Sequence, residues 1–363
     1  MRWPVRLLVA GCALGLAACG SSSSPRSAPV VRDTADAAAV RAATGFLHTY
    51  VDPDGRVVRR DQGGDTVSEG QAYALLMAVA VGDQATFDRV WGWTRANLQQ
   101  PDGLLAYHWA AGTVADTTPA ADADSQAAWA LSLAGTRFHS GDDTAAAREL
   151  AVSVADLEIG YADDGGPLLA AYPDGRGATG QPAVAEPGYW APPAAQALAS
   201  LTGDSRWGGL TASEDRLLTT LTRTGAVLPA DWITVGAGTA PTAVKAPSGG
   251  ASPRSALDGQ RALVWAALDP AARSLDAAWW RRISKTADAA PLARRLDGRP
   301  LVRDASPLSA VAAAAAARSA GDQGSATRLL GTADMLAARY PTYYGAAWDA
   351  LGRILLTTDR LTG

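Results

Sequence analysis

Apolar residues recur at intervals of three and four along most of the chain, in stretches separated by polar or glycine-containing breaks. The pattern predicts twelve helices, at about 34–50, 68–81, 84–99, 122–138, 143–158, 190–201, 205–221, 255–268, 271–287, 306–319, 323–338 and 344–356. No long alternation of β-branched residues interrupts it, so the domain is expected to be mostly helical. Four breaks share one design: Gly82-Asp83, Gly141-Asp142, Gly203-Asp204 and Gly321-Asp322 each pair a glycine that can end one helix with an acid that can start the next. Asp269-Pro270 places a proline at a helix start.

These tight breaks alternate with long polar loops, at about 51–67, 100–121, 159–189, 223–254 and 288–305. Short joint followed by long loop is the rhythm of helical hairpins set in a ring, with short joints at one end and long loops at the other. Twelve helices make six hairpins, which predicts an all-α domain, an (α/α)6 barrel over residues 34–363. The run Ala312–Ala317 fits an inner helix packed closely on its neighbours. A helical solenoid is the plainer alternative, but no strict sequence period supports it.

Composition narrows the function classes. Hydrophobic residues are 48% and charged residues 19% of 363, which excludes wholesale disorder. A net charge of -4 offers no phosphate-binding stripe, so nucleic acid is not an expected partner. Two Cys and three His leave little material for a disulfide scaffold or a zinc site, and neither a metal nor a cofactor is expected. A monomer is expected. Trp is unusually frequent, 12 against 3 Phe, and useful for stacking on flat apolar surfaces.

The N-terminus reads as an address. Arg2 and Arg6 precede the apolar segment Leu7–Ala18, which is too short to span a bilayer. Leu16-Ala17-Ala18-Cys19 resembles a bacterial lipoprotein processing box, which implies a signal over 1–18, lipidation of Cys19 and a membrane anchor. An ordinary signal peptide cut nearby is the alternative. Residues 19–33 are Ser/Pro-rich and read as a tether.

Three acidic clusters begin predicted helices. Ser68-Glu69-Gly70-Gln71 opens the second, with Ser68 as a candidate cap. Glu69 is either a charge placed to suit the helix dipole or a general acid in an apolar cleft. Asp122-Ala123-Asp124 opens the fourth; Asp122 suffices as a cap, and the second carboxylate, Asp124, favours a functional role there. Asp258 and Arg261 are one turn apart at the head of an apolar helix, as a surface ion pair or as the mouth of a cavity. Aromatic residues occupy the loops beside these clusters: Trp109, Tyr189, Trp190, Trp232 and Tyr344 among them. Trp and Tyr faces with carboxylates between them match the flat C–H faces and hydroxyl rim of sugar rings. Trp129 and Trp265, inside apolar helices, read as core.

Ser68-Glu69-Gly70-Gln71-Ala72-Tyr73 resembles the Ser-Glu-Gly-Gln-Ser-Tyr segment of glycoside hydrolase family 8, and Ala121-Asp122-Ala123-Asp124 resembles its Ala-Ser/Thr-Asp-Gly/Ala-Asp signature. Pro229-Ala230-Asp231-Trp232 is similar to the family's Pro-Asp-Trp loop. The resemblance implies an (α/α)6 barrel, export, and hydrolysis of a β-1,4-linked glycan, a β-glucan such as cellulose above all, with inversion. It implies Glu69 as general acid, Asp258 as general base, Asp124 holding the sugar at the cleavage point, Arg261 orienting Asp258, and Tyr189 lining the site; Trp109, Trp190, Trp232 and Tyr344 would bind rings. Departures include Ala72 for Ser, Ala74-Leu75 for Gly-Met, and Ala256-Leu257 for Ser-Tyr. They touch small groups around the cleft and remove no carboxylate. A non-catalytic glycan-binding lipoprotein, a polysaccharide lyase and a structural envelope lipoprotein remain as rival readings.

Overall fold

In a computed structural model, residues 30–177, 181–236, 240–250 and 252–362 are described. The predicted signal, Cys19 and the tether up to residue 29 lie outside them. Among the described residues twelve α-helices form: α1 (Val30–Tyr50), α2 (Ser68–Val81), α3 (Gln84–Asn97), α4 (Ala121–Arg137), α5 (Gly141–Leu157), α6 (Pro192–Thr202), α7 (Ser205–Leu221), α8 (Leu257–Leu268), α9 (Arg273–Ile283), α10 (Pro307–Ser319), α11 (Gln323–Arg339) and α12 (Tyr343–Thr357). α1 starts four residues inside the expected tether.

The Gly-Asp breaks work as expected at three places. Gly82, Gly203 and Gly321 take positive φ of 78°, 71° and 80°. Asp83, Asp204 and Asp322 then cap the next helices by accepting from Thr86, Arg206 and Ser325 N–H at 3.0, 2.8 and 3.0 Å. The fourth differs: the chain turns at His139 (φ 56°), and Ser140 caps α5 through the Asp143 N–H at 3.1 Å. Ser68 is not a cap either; Val67 holds that position and the Ser68 hydroxyl is enclosed without a partner. The stretch expected as one helix over 271–287 divides into α9 and a 3-10 turn at Ser284–Ala289.

The even-numbered helices close an inner ring: α2 packs on α4, α4 on α6, α6 on α8, α8 on α10, α10 on α12, and α12 back on α2. The odd-numbered helices form the outer layer, α1 against α12 and α2, and each later one against the inner helix before it. This is the (α/α)6 barrel. Ala312–Ala317 are buried, which lets α10 pack against α8, α9, α11 and α12. A Cβ on Gly352 of α12 would lie 2.3 Å from Val311 Cγ1, so these inner helices approach too closely for a larger residue. Trp129 and Trp265 are core, as expected. Ring closure is reinforced by Arg360, which pairs with Asp36 of α1 at 2.7 Å and donates to the Ala80 carbonyl in the last turn of α2 at 3.1 Å.

Among the described residues three small antiparallel sheets, which the pattern did not predict, stiffen the long loops. They are β1 (Thr66–Val67) with β2 (His108–Ala110) and β3 (Thr113–Asp116); β4 (Ile159–Tyr161) with β5 (Pro167–Leu169); and β6 (Ala183–Ala185) with β7 (Trp232–Val235) and β8 (Thr242–Val244). Strands of two to four residues are too short for alternation to register. No described helix is long and apolar enough to cross a membrane.

Candidate active site

Because the chain reverses from an outer helix into each inner one, from α1 into α2 through α11 into α12, the six inner helices run parallel and their N-termini share one mouth. Each N-terminus exposes unpaired N–H groups and the positive end of a helix dipole, which favours carboxylates there. Glu69 sits in the first turn of α2, Asp122 and Asp124 in that of α4, and Asp258 in that of α8.

Arg261, one turn into α8, ties these together. Its Nη1 is 2.7 Å from Asp122 Oδ2 and donates to the Tyr73 hydroxyl at 3.1 Å, while Nη2 lies 3.2 Å from Asp258 Oδ1. The guanidinium lies 4.9 Å from the Tyr189 ring centroid and 6.0 Å from that of Trp348. Arg261 and Asp122 are both buried, so each requires the other's charge. Asp258 is different: its side chain is 40% exposed and can reach solvent.

Glu69 is half-buried, but its Oε2 is enclosed and has no partner. Burial first, then the negative charge of Asp122, pushes its carboxyl up to about 8, against the weaker pull of Arg261. The Tyr107 hydroxyl, beside Glu69 and within the field of Asp122 and Asp258, is pushed up to about 12. Two further hydroxyls, on Tyr343 and Tyr344, are enclosed without partners, and burial pushes both upward. The mouth thus contains one carboxyl raised by burial, a second acid, Asp258, open to solvent, and enclosed hydroxyls without partners.

The other expected residues divide. Tyr189 is buried against Arg261, and Tyr344 is half-buried beside Trp348, with ring centroids 6.5 Å apart. Trp109 on β2 and Trp232 on β7 are half-buried in the rim sheets; Trp109 meets Trp93 edge-on at 5.5 Å and carries Arg56 over its ring at 4.8 Å. Trp190 is a correction. It is 3% exposed and its indole N–H donates to the Leu169 carbonyl at 3.0 Å, so it is core and offers no face to a ligand. Asp124 is fully buried; its Oδ1 accepts from the Leu105 N–H at 2.8 Å and burial raises it well above the usual carboxylate range. It holds the 98–107 segment, while its neighbour Asp122, expected only as a cap, makes the ion pair at the mouth.

Residues that the motif reading passed over include Tyr73, which receives Arg261, and Trp348, which packs edge-on against Tyr73 and Trp265 at 5.8 and 5.9 Å. Tyr73 stands within the quoted motif; nothing local marks Trp348. Tyr343 and Tyr344 belong to the first turn of α12, not to a long loop. A cavity of about 490 Å³ opens at the other end of the ring, near Leu268, Asp269 and Leu355, and contains none of these residues.

Comparison with known proteins identifies the family of the chain. Residues 30–348 match the family model for glycosyl hydrolases family 8. A probable endoglucanase from Novacetimonas hansenii is 32% identical over 251 residues, 68% of this chain and 72% of that protein. An endoglucanase from Cellulomonas uda is 29% identical over 51% of this chain and 52% of its own. Among solved structures, an endo-beta-1,4-glucanase from Acetobacter xylinum superposes with a TM-score of 0.73 at 27% identity, covering 88% of this chain and 98% of that one. A beta-1,3-1,4-glucanase from Paenibacillus sp. X4 shares the fold, with a TM-score of 0.81 at 16% identity over 93% of this chain and 95% of that one. With the family match running over most of the barrel and ending within α12, the chain belongs to glycosyl hydrolases family 8.

Proposed function

We propose that the chain is an inverting, endo-acting hydrolase of a β-1,4-linked glucan, with Glu69 as general acid and Asp258 as general base. The observation that carries this reading is the contrast between two acids at one mouth. Glu69 is held protonated by burial and by the charge of Asp122, whereas Asp258 faces solvent beside Arg261. Glu69 would donate its proton to the glycosidic oxygen as the bond to the anomeric carbon breaks. A water held by Asp258 would attack that carbon from the opposite face and give its proton to Asp258, leaving an inverted product. Inversion calls for carboxyls about 6.5–9.5 Å apart, room for one water.

Asp122, rather than Asp124, is assigned to the sugar at the cleavage point, because it stands against Arg261 while Asp124 is occupied by a backbone amide. Trp109, Trp232, Tyr189 and Tyr344 would line the path of the chain. The names of the similar proteins, endoglucanase and endo-beta-1,4-glucanase, support glucan as the polymer. Attachment through a lipid on Cys19 belongs to the same reading and rests on the Leu-Ala-Ala-Cys segment; labelling with a radioactive fatty acid that survives C19S would overturn it.

Reducing ends should be released from carboxymethyl cellulose or lichenan by the wild type. E69Q and D258N should each abolish release while glycan binding survives, and NMR of fresh product should show the α-anomer. Full activity in either variant refutes the assignment, an initial β-anomer refutes inversion, and ultraviolet-absorbing unsaturated ends would favour a lyase.

A further inference from the structure

Helix α8 lacks a cap of its own. Ala256 occupies the N-cap position and has no side chain that can accept a hydrogen bond, yet this helix carries Asp258 in its first turn. The missing acceptor comes from 25 residues upstream. Asp231, immediately before β7, accepts through Oδ1 from the Ala256 N–H at 2.6 Å and from the Gly259 N–H at 3.0 Å, the two amides that flank Leu257-Asp258. The Asp231 backbone is itself fixed, its N–H donating to the Arg254 carbonyl at 2.8 Å, and Oδ2 lies 3.4 Å from Arg254 Nε. Asp231 is 8% exposed, so solvent cannot readily replace it as acceptor.

The fit is close on both sides of the turn. A Cβ on Gly259 would lie 2.7 Å from the Pro229 carbonyl oxygen and 3.0 Å from Asp231 Oδ1. From the other side, a Cβ on Gly188 would lie 2.0 Å from the Asp258 carbonyl oxygen, and the Trp265 indole N–H holds the Gly188 carbonyl at 2.9 Å. The first turn of α8 is therefore clamped between two loops, and on the 229–231 side the hydrogen-bonding atom is a carboxylate.

We infer that Asp231 is a positioning residue for Asp258: it supplies the cap that α8 lacks, fixes the turn that aims the base, and sets a negative charge behind it. The inference rests on Asp258 being the base. Other charged or titratable groups act on Asp258 as well. They are Arg261 on its own helix, Asp122 on α4 and Glu186 from the loop before α6, while Arg254 pairs with Asp231. The hydroxyls of Tyr107 and Tyr344 complete the set. Of the acids among them, Asp231 is the one bonded to the backbone on both sides of the base.

The test compares kcat, KM and pH profiles of wild type, D231N, D231A, G259A and D258N on carboxymethyl cellulose. D231A should lose about 100-fold in kcat, the scale of a slight misplacement of a reacting group, with KM little changed. D231N keeps the Oδ1 acceptor and should recover at least tenfold over D231A. Its acid limb should move to lower pH, because one negative charge fewer faces the group that must be ionised. A cap that served stability alone would lower the melting temperature and leave that limb in place. Soluble D231A with wild-type kcat, or D231N with an unmoved acid limb, overturns the inference. If D231A does not fold, the D231N limb and G259A decide; G259A pushes the cap away without altering a charge, and wild-type kcat there also overturns it. An inactive wild type, or an active D258N, refutes the hydrolase reading instead. A dead D258N beside Asp231 variants that behave as wild type refutes only the inference about Asp231.

Discussion

Arg261 and Asp122 are 139 residues apart in sequence and 2.7 Å apart in space, a buried ion pair that joins α8 to α4 across the mouth of the ring. Removing one member leaves the other's charge buried with too few partners. R261M or D122L should therefore cost about 3–5 kcal/mol of stability, read from urea denaturation at neutral pH. A loss below about 1 kcal/mol would mean that water takes over the missing role. The double variant R261M/D122L should recover much of the loss, because apolar side chains of similar size carry no desolvation penalty.

The acid role proposed for Glu69 sets an alkaline limit. Its carboxyl, raised to about 8, is protonated below that pH and ionised above it, so kcat should fall as pH rises through about 8. The charge of Asp122 is the second cause of that rise, so D122N should move the limb to lower pH. A limb that stays put in D122N would remove Asp122 from the account.

Stability should also depend on pH in a definite sense. Burial raises Glu69 and Glu214 to about 8, and Asp215 and Asp349 to about 7, from ordinary values of 4.5 and 3.8. Between those limits the folded chain holds protons that the unfolded chain has released. These groups' contribution is complete at acid pH and is lost as pH climbs through about 7 to 8. Urea midpoints should be lower at pH 8 than at pH 5.5. E69Q, neutral at both, should show a smaller drop and exceed the wild type at pH 8. A wild-type midpoint that rises over this range contradicts the assignment.

Gln71 is the polar residue of the first motif whose work is architectural. Its Oε1 accepts from the Val57 N–H at 2.6 Å, and its Nε2 donates to Thr94 Oγ1 at 2.7 Å, fastening the loop between α1 and α2 to α2 and α3. Q71L leaves the buried Val57 amide unpaired and should cost about 1–3 kcal/mol. Hydrogen exchange at Val57 should quicken in step; unchanged exchange there would show that the loop is held by other means.

Much of this could be read from the residues. The helices were legible because a 3.6-residue period repeats over long segments and is punctuated by Gly-Asp pairs whose backbone chemistry is local. The small sheets were not, because Thr66 pairs with Trp109 and Ala183 with Val235, partners far apart in sequence and in strands too short for a period. Asp122 and Asp124 show the limit most clearly. Residues two apart on a helix point to nearly opposite sides. Which of them faces the mouth depends on where Arg261 arrives, and that is a property of the closed ring. Trp190 carries the same lesson: Tyr189 and Trp190 are neighbours, yet one ring stacks on Arg261 and the other turns into the core.

The clasp between Arg360 and Asp36 fixes both ends of the described chain beside the last turn of α2, at the pole opposite Glu69. Whatever continues from Asp36 or from Arg360 therefore departs from the pole away from Glu69 and Asp258, so substitutions at that pole leave the mouth untouched.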